Sequence, residues 1–459
     1  MKLFFPFLFF VLLFNYFAFS ESDVGVGYKF MVVVPMKYDV GFIGSGFFME
    51  TNETEPNFRV ALSIEGVNGK YSCSLRVFVG DVKVWDSGHY SKFYVTEKCL
   101  VEFTMDGDLR LKGPNEKVGW KTGTSEQGVK RLQILKTGNL VLLDELNNIK
   151  WQSFNFPTDV MLRSQQLDIA TRLTSSRTNS SLFYSFEIEN NKVALYVNSG
   201  KLKYSYWEFQ PSMNRSITYI KLSSKGLLFF DVKYKKIAQI PSQSIHPIKF
   251  LALKNETGNF GLYYYSSEKS KFEASFQALN RTCDLPISCK PYGICTFSNT
   301  CSCIQLFTND DRKGSSSDCN EGFSGGFCGG IEAEMLEIDN VNSVLKGVTE
   351  IINVSRGTCS DLCLQDCKCA AALYIRNASA AAAECYLYRL VLGLKQVDEG
   401  TGFSYMVKVP KGSGRYDEKH NVKRWIFVVV GVFDGFIILI LVGGFGYWLI
   451  KRRSHSLNS

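Results

Sequence analysis

"TGNLVLLDELNNIKWQSFNFPTD", residues 137–159, is a glycine turn, an alternating apolar strand, a second turn and a Trp-Gln-Ser-Phe corner. Alternate residues of a strand share one face, so such a stretch buries one side and offers the other to a neighbour or ligand. The theme recurs as "FTMDGDLRLK" (103–112), "LSSKGLLFFD" (222–231) and "ETGNFGLYYY" (256–265). Each copy is a turn with glycine followed by alternating apolar residues, as a hairpin requires. From about residue 28 to 280 the chain runs in short alternating stretches separated by Gly, Asn, Asp and Ser. That pattern predicts an all-β sandwich, prism or barrel. The recurring theme predicts equivalent sheets around one axis, counted twice along the chain.

The character changes after residue 283. Cys283, Cys289, Cys295, Cys301, Cys303, Cys319 and Cys328 arrive with little apolar sequence between them, so cross-links must replace a core. Residues 331–409 read as a small mixed domain. "GTCSDLCLQDCKCAAALY" (357–374) sets Cys359, Cys363 and Cys367 at i, i+4, i+8, which predicts one helical face, with Cys369 leading into a strand.

The ends predict a membrane protein. Residues 2–19 are apolar after one Lys, and Ala18-Phe19-Ser20 fits a signal peptide cut after Ser20. Trp425 to Ile450 carries one charge, Asp434, and 17 of its 26 residues are Leu, Ile, Val or Phe. Their insertion gain, roughly −0.3 to −0.6 kcal/mol each, outweighs about +3 for the aspartate. Lys451, Arg452 and Arg453 follow as a cytoplasmic flank. The expectation is a single-pass type I plasma-membrane protein with its ectodomain outside. All 14 cysteines lie between Cys73 and Cys385, on the side assigned to the oxidising compartment. So do seven Asn-x-Ser/Thr sequons, at Asn52, Asn179, Asn214, Asn255, Asn280, Asn353 and Asn377. The net charge of +8 is spread along the chain. Its densest group, Lys221, Lys225, Lys233, Lys235 and Lys236, reads as a solvated strand face, with an acidic polysaccharide as the rival reading. Nothing points to nucleic acid.

"GNLVLLD…WQSFNFPTD" resembles the end of the bulb-type, mannose-binding lectin domain of plant S-locus glycoproteins and G-type lectin receptor-like kinases. "CDLPISCKPYGIC", the Cys-Ser-Cys at 301–303 and the C-x3-C-x3-C-x-C cluster are similar to the same family's EGF-like and PAN/apple modules. The likeness is greatest to kinase-less, PAN domain-containing D-mannose-lectin-like membrane proteins. The resemblance implies a mainly β fold: tandem bulb-lectin-like β-prisms at 28–160 and 165–280, an EGF-like module at 281–319 and an α+β PAN/apple domain at 320–409. A linker at 410–424, one transmembrane helix at 425–450 and a tail at 451–459 complete the expected order, after a signal peptide at 1–20. It also implies the pairs Cys283–Cys295, Cys289–Cys301, Cys303–Cys319, Cys359–Cys385, Cys363–Cys369 and Cys328–Cys367. Cys73 and Cys99 remain to pair in the first lectin domain. Two departures stand out: residues 165–280 differ from the family's usual middle segment, and no kinase follows the span.

In that family the mannose site is Gln-x-Asp-x-Asn-x-Val-x-Tyr, five side chains on one strand face. Alignment on the glycine gives Thr104, Asp106, Asp108, Arg110 and Lys112 in the first copy, and Leu135, Thr137, Asn139, Val141 and Leu143 in the second. The third gives Ser223, Lys225, Leu227, Phe229 and Asp231; the fourth gives Asn255, Thr257, Asn259, Gly261 and Tyr263. No copy is intact. The sugar-binding candidates are therefore Asp106, Asp108, Asn139, Asn259 and Tyr263, on a scaffold expected to have lost most of its mannose chemistry.

Four isolated His residues, cysteines all expected in disulfides and no phosphate-binding loop predict a non-enzyme without cofactor or metal. The Cys359–Cys369 cluster could pass for a zinc set, but an even count in an oxidising compartment favours disulfides. Asp434, beside the Gly431-x-x-x-Gly435 step, predicts association of the membrane helix with another single-span receptor. The expected function is a receptor-like glycoprotein that binds an extracellular glycan or protein, as co-receptor or decoy for a partner receptor kinase. Dimerisation would run through the PAN domain or membrane helix. A wall-associated structural or adhesive glycoprotein is the alternative.

Overall fold

The computed structural model describes residues 22–34, 41–52, 55–67, 69–176, 182–212, 215–304, 319, 327–346, 349–376, 383–412 and 443. Asp23–Gly25, Lys29–Val33 and Ile43–Glu50 each open a different sheet. The chain then completes those sheets in reverse order. Phe58–Val67, Lys70–Val79 and Val82–Asp86 finish the third; Lys98–Phe103, Leu109–Lys112 and Val118–Lys121 the second; Val129–Ile134, Leu140–Asp144 and Ile149–Gln152 the first. Leu132 and Leu142, Val101 and Leu109, and Leu62 and Leu75 point from the three sheets into one core. Trp151, Trp120 and Trp85, one from each sheet, meet edge to face with ring centroids 5.8 to 6.2 Å apart. Three near-equal separations give the unit an approximate three-fold axis.

A second unit repeats the path. Val160–Leu162, Gln166–Asp168 and Arg172–Thr174 open three sheets. Leu182–Phe209, Tyr219–Pro241 and Ile248–Gln277 then supply three strands each to the third, second and first of them. Two prisms with one topology follow, as the recurring glycine turns predict.

The corner at 153–159 joins them. Trp85 Nε1 donates to Phe156 O at 2.9 Å, Tyr90 Oη donates to Pro157 O at 2.6 Å, and the Phe156 ring stacks on Trp151. Phe250 of the second prism is buried in the core of the first. Bonds to the first prism at Phe156 and Pro157, and to the second at buried Thr158 and Asp159, make this corner a brace rather than a linker.

Beyond the prisms, Gly293–Cys295 pairs with Cys301–Cys303 and, in parallel, with Leu394–Gln396, which also pairs with Val341–Ser343. One small sheet therefore spans the cysteine-rich segment and the final domain. A five-stranded sheet runs in the order Ala333–Asp339, Phe403–Pro410, Ala371–Ile375, Glu384–Tyr388, Thr349–Ile352, and the helix Arg356–Gln365 packs on it. Ser355 caps that helix, its Oγ accepting from Thr358 N at 3.1 Å. Cys359 and Cys363 lie on the helix, but Cys367 does not share their face. The chain turns extended at Asp366, because the Cys363–Cys369 bridge closes too short a loop for another helical turn. All 14 cysteines are paired: Cys73–Cys99, Cys283–Cys295, Cys289–Cys301, Cys303–Cys319, Cys328–Cys367, Cys359–Cys385 and Cys363–Cys369.

The second prism and the final domain share one apolar cluster, which runs from Leu173 and Phe260 to Tyr388 and Tyr405. Arg389 N donates to Tyr204 Oη at 3.1 Å across that boundary. Among the described residues no helix is long and apolar enough to cross a membrane. Residues 1–20 lie outside the described set, as do 425–450 except Gly443, and with them Gly431, Asp434 and Gly435.

Candidate ligand-binding site

Three of the four glycine turns close in the same way, two of them at the same length. Leu135 N donates to Asn139 O and Gly138 N donates to Leu135 O, and Thr104, Gly107 and Asp108 repeat that spacing. The turn at Gly258 is one residue longer, Lys254 N donating to Asn259 O and Gly258 N to Lys254 O, so Lys254 rather than Asn255 opens it. Those glycines sit at φ +82°, +87° and +71°. The residue after each glycine turns inward. Asn139 Nδ2 donates to Gln152 Oε1 at 2.7 Å, and its Oδ1 accepts from Ser153 Oγ and Phe154 N, both at 3.2 Å. Asn259 Nδ2 donates to Leu279 O at 2.7 Å and its Oδ1 accepts from Leu279 N at 3.1 Å. Asp108, 1% exposed, accepts from Arg110 Nε, Thr122 Oγ1, Gly123 N and Thr124 N at 2.7 to 3.1 Å. Burial opposes the Asp108 charge, but Arg110, the Thr124 and Gly123 amides and Thr122 outweigh it and hold the carboxyl below its ordinary pKa. In all three sheets the partner is the chain just leaving the fourth strand. The position is an internal clamp.

The other motif positions are occupied in different ways. Asp106 is exposed and accepts from Arg110 Nη2 at 3.4 Å, while Thr104 bonds Asp106 and Asp108. Lys112 pairs with Glu102 and Glu116, and Tyr263 stacks on Phe250 with centroids 5.2 Å apart. Asn255 Nδ2 donates to Asp159 Oδ2 at 3.0 Å, and its Oδ1 accepts from Ser176 N at 2.8 Å. The third copy is out of register. A two-residue turn, Ser224-Lys225, connects its strands, so Leu227 and Phe229 face the core rather than the outer face. A one-residue slip flips every side chain of a strand. Among the sequons, Asn52, Asn280 and Asn353 are exposed and Asn255 is half-buried, while Asn179, Asn214 and Asn377 lie outside the described residues.

Six three-strand sets imply six inner hairpins, two of which carry no glycine-turn motif. One of these, Phe58–Val67 with Lys70–Val79, forms the floor of a cleft of about 740 Å³ between the prisms. Register aligns Ser45 with Ser63, Ser63 with Ser74, Glu65 with Ser72 and Arg76 with Asp86, so all lie on the sheet face opposite Cys73 and Leu75. Ser45 and Ser63 hydroxyls are 2.8 Å apart. Arg76 Nε donates to Ser74 Oγ at 2.9 Å, and the buried guanidinium bridges Glu65 and Asp86 at 2.6 and 3.0 Å. Burial works against the Asp86 charge; Arg76 and Lys83 win and keep its pKa low. Phe47, which packs against Phe78 and under the Arg59 guanidinium, forms an aromatic rim. Ser176, Asn255 and Glu256 of the second prism close the far wall.

His89 also lines the cleft. Its Nε2 is 2.9 Å from Thr174 Oγ1, while Nδ1 has no hydrogen-bond partner among the described residues. Burial lowers its pKa against the pull of Asp159, so the ring is neutral at pH 7. A hydroxyl-lined floor, a fixed ion pair and an aromatic rim suit a polyhydroxylated ligand: hydroxyls bond the floor and a sugar's C–H face packs on the ring. The available signal was "YSCSLR" (71–76), where Ser72, Ser74 and Arg76 alternate with core residues.

The two prisms and their corner define a lectin-type β protein. A family model described as D-mannose binding lectin matches residues 91–183, which include the quoted corner. The chain is 24% identical over 432 residues to the G-type lectin S-receptor-like serine/threonine-protein kinase SD2-5 of Arabidopsis thaliana, covering 90% of this chain and 51% of that protein. It is 23% identical over 369 residues to the PAN domain-containing protein At5g03700 of the same plant, covering 76% and 72%. The G-type lectin S-receptor-like kinase LECRK4 of Oryza sativa subsp. indica is 23% identical, with 72% and 44% covered. The chain thus spans about half the length of the kinases it matches. The matched segment and the lectin-named relatives together support a plant bulb-type lectin relationship. Among solved structures, monomeric monocot mannose-binding lectins from Gastrodia elata match 29% of this chain and 96% of theirs at 20% identity and a TM-score of 0.19.

Proposed function

We propose that this chain is a cell-surface, receptor-like glycoprotein that binds an extracellular carbohydrate in the cleft between its two prisms. It acts as a co-receptor or decoy beside a partner receptor kinase, anchored in the plasma membrane as a single-pass type I protein and dimerising through its PAN-like domain or membrane helix. On this reading residues 28–160 and 165–280 are the lectin prisms, 281–319 the EGF-like module and 320–409 the PAN/apple domain. The observation that carries it is the polar floor, buried Ser72, Ser74 and Arg76 with exposed Ser45 at its edge, beneath an aromatic rim on a lectin scaffold. The lectin-family match and the receptor-like relatives support the same class of ligand. The internal clamps at Asp108, Asn139 and Asn259 favour the alternative, a structural or adhesive glycoprotein with degenerate lectin sites, only if the cleft is also silent.

The test is a glycan array probed with the full chain in detergent. Binding that survives Asp106→Ala and Tyr263→Ala but is lost with Phe47→Ala and Ser45→Glu supports the cleft. Binding lost with the first pair and kept with the second returns recognition to the glycine turns. Silence from a folded, disulfide-bonded sample ends the carbohydrate reading.

A further inference from the structure

A second cleft, about 670 Å³, lies where the second prism, the cysteine-rich segment and the final domain meet. Its floor is an ion pair, Lys395 Nζ to Asp284 Oδ1 at 2.7 Å, that ties the last two together. Phe297 stands on its wall, 62% exposed, in the hairpin turn between Gly293–Cys295 and Cys301–Cys303. Asn299 and Gln396 add amides. Asn280 lies on the rim, exposed, and begins the sequon Asn280-Arg281-Thr282.

We infer that the core of an N-linked oligosaccharide on Asn280 occupies this cleft and packs its C–H face on Phe297, bracing the three units against one another. Glycosylation joins Asn280 Nδ2 to the anomeric carbon of a lipid-linked donor and breaks the sugar–pyrophosphate bond. The lipid pyrophosphate departs and the amide proton is lost to solvent. Tethering does the rest. A covalently linked sugar samples the cleft at millimolar effective concentration, enough to hold a contact too weak to capture free sugar. Phe297 gives the apolar face of a pyranose a partner, and the amides accept and donate to its acetamido and hydroxyl groups. Neutral sugar leaves the Lys395–Asp284 pair undisturbed. The inference rests on the secretory, extracellular reading above.

The experiment is native deglycosylation of the full chain, expressed in a plant secretory host. Peptide-N-glycosidase is added without denaturant, and release at each sequon is followed by mass spectrometry. The expected result is a glycan on Asn280 released on the order of tenfold more slowly than the exposed Asn52 glycan, as a millimolar tether over a weak contact implies. Phe297→Ser, at an exposed position, should erase the difference. Equal release rates at Asn280 and Asn52, or protection unchanged in Phe297→Ser, overturns the inference. A bare Asn280 beside an occupied Asn52 overturns it alone and leaves the extracellular reading standing. Bare sequons throughout overturn both.

Discussion

Replacing Asn139 with alanine separates a structural clamp from a ligand contact. The side chain is 5% exposed and makes three hydrogen bonds, to Gln152, Ser153 and Phe154, which hold the chain leaving the fourth strand of its sheet against the glycine turn. Removal leaves the Phe154 N–H and the Gln152 carbonyl to find new partners at a buried seam. At about 1 kcal/mol for each bond, with a further penalty for an unsatisfied N–H, the loss is about 2–4 kcal/mol. For a domain of roughly 150 residues that corresponds to a fall of about 6–12 °C in Tm. Differential scanning calorimetry of the full chain reads the shift in the first-prism transition. Asn139→Asp is the informative companion. It keeps acceptors for Ser153 and Phe154 but loses the donor to Gln152, so its fall should lie between alanine and wild type. A glycan-binding loss in Asn139→Ala with Tm unchanged within about 1 °C would refute the clamp and make the residue a sugar ligand.

Three further outcomes follow from the same contacts. Lys408, 3% exposed, donates to the carbonyls of Cys363, Leu364 and Asp366 at 2.9 to 3.2 Å and so caps the end of the helix Arg356–Gln365; Lys408→Met should cost about 3 kcal/mol and speed amide exchange over 362–369. A folded Asp108 pKa below its ordinary 3.8 means that its stabilising contribution is complete above the unfolded pKa and lost as pH falls through the folded one; the acid limb of a stability–pH curve should flatten in Asp108→Asn, and an unchanged limb would contradict this. Gly138→Ala places a Cβ at φ +82° and 2.4 Å from the Phe58 ring, so it should cost about 2–4 kcal/mol in urea melts, whereas Gly123→Ala, at φ +71° with open space around it, should cost only about 1.

Legibility varied with how local each cause was. Glycine turns and alternating strands could be read because the hairpin contacts lie within about ten residues, and the repeated theme exposed two equivalent units. The third and fourth turns misled because one joins its strands through Ser224-Lys225 and the other is a residue longer than the turns at Gly107 and Gly138, and glycine alone does not report loop length. Cys359 and Cys363 follow the helical period; Cys367 does not, because the short Cys363–Cys369 loop overrides it. The alternation of Ser72, Ser74 and Arg76 was visible, but nothing local marks that face as one wall of a cleft.

By itself the sequence determined the β class, the two prisms, the cysteine-rich change at 283 and the bulb-lectin kinship, since each is written in residue types at short spacing. Tertiary structure alone decided that the residue after each glycine faces inward, and that Ser45, Ser72, Ser74 and Arg76 meet Asn255 and Glu256 across a cleft. The reason is distance along the chain: those partners are separated by up to roughly 200 residues, and a three-fold packing of sheets brings them together.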